Sequence, residues 1–198
     1  GKVYYYPRKD EDMTTVTVTV PVLENLVQIK GTIDRPVHDF KFKGISFEYS
    51  NWLRPSQQGH VPLQAGMYLI DAYKLKTPGT PNQASLENQA WVGRPRAAVE
   101  VNYTTNVVFE SCRFEHLSST GLDFNKGTNH NSIQGNLFKD IGGSAINLGV
   151  FSDEAVEAHL PYNPKDEREV CSDEVVADNM ITNVANEDWG TLGISAGF

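Results

Sequence analysis

The sequence predicts an all-β fold: a right-handed, single-stranded parallel β-helix, that is, a solenoid of short strands interrupted by long loop insertions. Three observations predict it. Segments of one pattern recur along the chain. Their spacing is close to 24 residues. Each holds three short apolar patches, none long enough for a helix, separated by Asn, Gly, Ser and Thr.

The repeat comes first. HDFKFKGISFEYS from His38, TNVVFESCRFEHLSSTGLDF from Thr105, HNSIQGNLFKDIGGSAINL from His130 and DEVVADNMITNVANEDWGTLGIS from Asp173 align in register. Phe42, Phe109, Ile133 and Val176 then share a column, as do Ile45, Cys112, Asn136 and Asn179, and Phe47, Phe114, Phe138 and Ile181. A strand closes each unit: AVEV (98–101), GLDF (121–124), AINL (145–148) and GISA (193–196). Its apolar column Val99, Leu122, Ile146, Ile194 is spaced 23, 24 and 48 residues, so one unit carries an insertion. β-Branched and aromatic residues dominate these patches, which suits strands. Stacked rungs bring Asn136 over Asn179, where side-chain amides form a ladder. Leucine-rich repeats have a similar period, but AINLGV and GLDFNK lack the L-x-L-x-x-N that those need.

Residues 1–25 read as an N-terminal strand segment or cap, because TTVTVTVPVL (14–23) alternates strictly and predicts a half-buried strand. Residues 26–198 read as the solenoid. Two long insertions interrupt it, at about 51–96 and 149–172, and a shorter one carries Glu187-Asp188-Trp189-Gly190. All three leave turns that adjoin the closing strands. Long loops on one side of a scaffold wall a cleft and are commonly functional. The chain stops at Ala196-Gly197-Phe198, directly after a strand with no polar cap. The expectation is a longer protein, or self-association at that open rung.

Composition narrows the partners. Net charge is −8, with no Lys/Arg cluster, which disfavours nucleic acid. No apolar run is long enough to span a membrane. Two cysteines cannot make a disulfide framework, and both are expected as free thiols. The five histidines show no zinc spacing, so neither a metal nor another cofactor is called for.

The candidate site follows from alternation. In the closing strands, Glu100, Asp123, Asn147 and Ser195 alternate with the apolar column and are expected on the exposed face, one per rung. Glu100 and Asp123 are the candidate catalytic pair. Two carboxylates roughly 5 Å apart suit a retaining glycosidase, one as acid and one as nucleophile, and their repulsion raises one pKa, as a general acid requires. Candidate binding residues are Asn147 in the column, Trp52 and Trp91 of the first insertion, Asp153, Glu154 and His159 of the second, and Asp188 and Trp189 of the third. Indoles suit the apolar faces of sugar rings, and carboxylates and amides suit hydroxyls.

GISFEYSNWLRPSQQGHVPLQAG (44–66), AAVEV, FESCRFEHLSSTGL, FKDIGGSAINLG, EDWGTLGISAGF and the YYYPR start (4–8) resemble bacterial right-handed β-helix repeat proteins of the pectin-lyase-like superfamily. That resemblance implies a segment of a longer glycoside hydrolase of polysaccharide-degrading bacteria, secreted or periplasmic. It carries over no catalytic motif. The leading expectation is therefore hydrolysis of a glycosidic bond in a polysaccharide or oligosaccharide. A non-catalytic carbohydrate-binding or adhesin-like solenoid is the alternative. A polysaccharide lyase is the third; acids rather than Lys or Arg on the strand face count against it.

Overall fold

The computed structural model describes residues 2, 4–53, 60–62, 68–70, 91–150, 162, 164–188 and 190–197. Three parallel sheets carry the chain. The first stacks Val27–Lys30, Ala97–Asn102, Thr120–Phe124, Ile146–Leu148 and Ile194–Ala196, in that order. The second stacks Val37–Lys43, Thr104–Glu110, Ser132–Gln134 and Val175–Ala177, with Thr128–Asn129 also pairing on Thr104–Glu110. The third stacks Ser46–Ser50, Arg113–Leu117, Leu137–Ile141 and Met180–Val184. The chain visits first, second and third sheet in the same order on each pass. No α-helix occurs among the described residues; a single 3₁₀ turn spans Glu167–Glu169.

The registers match the columns read from the repeat. Val99 pairs with Leu122, Leu122 with Ile146 and Ile146 with Ile194. Phe42, Phe109, Ile133 and Val176 form one ladder and Phe47, Phe114, Phe138 and Ile181 another. These columns meet in the interior. Phe114 lies between Phe47 and Phe138, with ring centroids at 4.9 and 4.5 Å and planes nearly parallel. The Asn ladder forms too. Asn136 Oδ1 accepts the Cys112 N–H at 2.8 Å while its Nδ2 donates to Phe109 O at 3.0 Å; Asn179 Oδ1 then accepts the Asn136 N–H at 2.9 Å. Both cysteines are free thiols.

Three expectations are corrected. TTVTVTVPVL (14–23) is irregular chain with no strand partner among the described residues, and Val18, Val20 and Val22 are each more than 70% exposed. Alternation makes a strand only where an edge is there to pair and a face to cover; this segment meets neither. The first insertion, read as loop, holds an antiparallel sheet of His60–Pro62, Tyr68–Ile70 and Trp91–Gly93. The third correction concerns the outer face of the first sheet. Ala97–Val101 and Thr120–Phe124 are buried at every position, not on alternate ones.

Candidate functional site

Parallel register puts Gln28, Glu100, Asp123, Asn147 and Ser195 in one row on the outer face of the first sheet, one per strand. Neighbours in such a row are about 4.8 Å apart along the backbone. The row was expected in solvent. Instead Glu100, Asp123, Asn147 and Ser195 are all under 9% exposed.

Asp123 is covered by Arg94, which leads out of the first insertion. Its Nε donates to Asp123 Oδ2 at 2.8 Å, its second guanidinium nitrogen donates to Asp123 Oδ1, and the third donates to Gly149 O at 2.7 Å. Asp123 is thereby gripped by both oxygens, the geometry in which Arg binds carboxylates most strongly. The same guanidinium ties the return of the first insertion to the start of the second. Arg96 lies over Glu100, its guanidinium 3.3 Å from both carboxylate oxygens. From the other side, Gln28 Nε2 donates to Glu100 Oε2 at 3.3 Å and to Asn25 Oδ1 at 2.9 Å. Ser195 Oγ donates to Asn147 Oδ1 at 2.6 Å, while Asn147 Nδ2 is buried without an acceptor among the described residues.

Burial pushes the Asp123 carboxyl above the usual aspartate range; the Arg94 charge and its hydrogen bonds pull the other way, and the neighbouring Glu100 adds an upward push. The row therefore holds two acids against two guanidinium groups, one acid tightly paired and the other at longer range.

The remaining candidates separate. Trp52 lines a groove with His116, Asp140, Asn186 and Glu187 where the third sheet turns back toward the first. Asp188 is buried in the adjoining turn, where its N–H donates to Gly142 O at 2.8 Å. Trp91 belongs to the strand Trp91–Gly93, but its side chain lies outside the described residues, as do Asp153, Glu154, His159 and Trp189 altogether. Arg94 as the partner of Asp123 was missed. The signal was available in Arg94 and Arg96, two cations placed just ahead of a strand whose outward residue is an acid. So was the His116–Asp140 pair of the groove, two residues 24 apart and hence stacked by the repeat.

Among the described residues, no three His, Cys, Asp or Glu side chains stand together as a metal site, and no helix is long and apolar enough to cross a membrane. No family model matches the chain, and no curated protein matches it. A solved structure named glycoside hydrolase does match, at 47% sequence identity and a TM-score of 0.83, over 97% of this chain. This chain spans 33% of that one's length, so the likeness is to a segment of a larger protein that shares this fold.

Proposed function

We propose that the chain is a segment of right-handed parallel β-helix from a glycoside hydrolase, acting on a polysaccharide or oligosaccharide outside the cytoplasm. The observation that carries the reading is the 47% identity, across nearly the whole chain, to a protein of that name. The three parallel sheets visited in constant order support the β-helix.

Within the proposal, Glu100 and Asp123 are the catalytic pair. Of the pair, one carboxyl is the acid that protonates the leaving oxygen and the other the carboxylate that attacks or stabilises the sugar cation. Asn147 supplies a buried amide donor for a hydroxyl. Asp153, Glu154, His159, Trp189, Trp91 and Asp188 remain proposed binding groups of the loops.

The grip of Arg94 on Asp123 favours a second reading, in which the row is a clasp fastening two insertions to the sheet and the chain binds carbohydrate without cleaving it. One experiment separates the two. Glu100→Gln and Asp123→Asn are made, reducing ends are measured across a panel of plant and host glycans, and Tm is taken alongside. Loss of about 10²–10⁴ in kcat at near-native Tm supports the catalytic pair. Full kcat with a lowered Tm supports the clasp.

A further inference from the structure

A second polar feature lies away from the Glu100–Asp123 row and shares no residue with it. It is a groove of about 400 Å³, inside the roughly 300–1,000 Å³ usual for small-molecule sites. Successive passes of the chain contribute its walls: Trp52 from the first, His116 and Ser118 from the second, Asp140 from the third, Asn186 and Glu187 from the fourth. The groove thus runs along the stacking direction, over three steps of about 4.8 Å, or about 14 Å in all. That step is close to the repeat of a pyranose chain, so the groove offers polar groups at the interval at which such a chain offers hydroxyls.

The wall chemistry is specific. His116 Nδ1 meets Asp140 Oδ2 at 2.7 Å, and Asn186 Nδ2 donates to Asp140 Oδ1 at 3.3 Å. The His116 ring is stacked on Tyr49, centroids 5.2 Å apart. This ties the imidazole, the carboxylate and the amide into one held network, with Trp52 at the end of the groove. Ser118 Oγ donates to Ser50 O at 2.6 Å and so fixes one turn to the pass before it. Gly142 keeps the floor flat: a Cβ there would stand 2.2 Å from Ser118 O. Among the described residues that line the groove there is no Lys or Arg, and there are two carboxylates.

We propose that this groove is a saccharide-binding site, distinct from the catalytic row, that takes a short run of neutral sugars along the stacking axis and rejects uronates. The Trp52 indole suits the apolar side of a pyranose; the Asn186 amide oxygen and the carboxylates accept from hydroxyls; Asp140 and Glu187 repel an acidic chain. The proposal rests on the chain being carbohydrate-active, but not on the assignment of Glu100 and Asp123.

The test is calorimetric titration of the protein with cellotetraose, xylotetraose, mannotetraose and tetragalacturonate. It is run on wild type, Trp52→Ala, His116→Ala and Glu100→Gln. At least one neutral tetraose is expected to bind, and tetragalacturonate is not. Trp52→Ala should weaken binding about tenfold and His116→Ala should also weaken it, while Glu100→Gln separates the groove from the catalytic row. His116 is about half exposed, so its variant keeps the test valid if Trp52→Ala fails to fold. Equal affinity in both groove variants overturns the site. So does binding lost only in Glu100→Gln, which would leave the hydrolase reading standing. Preference for tetragalacturonate overturns the stated ligand class. Binding of no tetraose overturns the inference, and the hydrolase reading is then decided by turnover alone.

Discussion

Arg94 reaches Asp123 across 29 positions of sequence, and both side chains are about 95% shielded from solvent. Bringing two charges into such a place costs free energy that their attraction must offset, and taking away one partner leaves the other charged and buried. Asp123→Ala is therefore expected to lose about 3–5 kcal/mol of stability, read by urea denaturation; a loss below about 1 kcal/mol would mean the guanidinium finds another partner or water. This pair was not legible. Alternation reports which residues share a face but not whether something distant covers it, and the acid in GLDF looks the same in either case. A surface acid behaves differently. Lys41 and Lys43 both reach Glu110 and hold its carboxyl down at about 2 from the usual 4.5. A carboxyl lowered in the folded state stabilises above its ordinary value and loses that contribution as pH falls through the folded one. The Tm of wild type should exceed that of Glu110→Gln at pH 6 in low salt, and the gap should close as the pH approaches about 2. A gap independent of pH would assign it to something other than these ion pairs. Because the triad is solvent-exposed, added salt should shrink it.

A strand of this fold stays in place because equivalent residues stack. Phe114 is fully buried between two rings and also touches Phe109, at a centroid distance of 6.1 Å. Phe114→Ala should cost about 3–5 kcal/mol, from lost burial and the cavity left. Asn136→Ala should cost about 1–3 kcal/mol for each backbone group it strands, the Cys112 N–H and the Phe109 carbonyl. Thermal or urea melts check both; a Phe114→Ala loss under about 1 kcal/mol would show that the column collapses around the gap. The bends between strands follow the same rule of recurrence. Asp39, Asn106, His130 and Asp173 are one column and all have φ near +55°; Tyr49, His116, Asp140 and Asn183 are another. Asp, Asn and His tolerate this left-handed conformation better than other non-glycine residues, so most of each column could be read from the sequence as polar residues recurring at the period of the repeat. Tyr49 could not, since nothing in its type favours that backbone.

At the scale of the whole chain, stacking explains what was readable. A periodic fold writes its register into the sequence, so the columns of Phe, Ile and Val and the order of strands are legible there. Features that break the period are not: the antiparallel sheet inside the first insertion, the unpaired valines of 14–23, and the cover over the first sheet. Among the described residues, the last strand of each parallel sheet is paired on one side only. Val175–Ala177, Met180–Val184 and Ile194–Ala196 each end the order of a sheet. Val175, Met180, Leu192 and Ile194 are each roughly half exposed or more. Free N–H and C=O groups beside apolar side chains are a template for adding another strand. A polypeptide of these 198 residues alone is expected to associate with itself through this edge. Sedimentation velocity should show a weight-average s-value that rises with protein concentration. Met180→Lys with Ile194→Lys should restore a concentration-independent monomer, because lysines on an edge strand oppose pairing by charge and by their hydration. The two positions are on different sheets, so each variant alone should act in part and the pair more strongly. A wild-type chain that stays monomeric across the concentration range, or a lysine pair that leaves the oligomer intact, would rule this edge out as the contact.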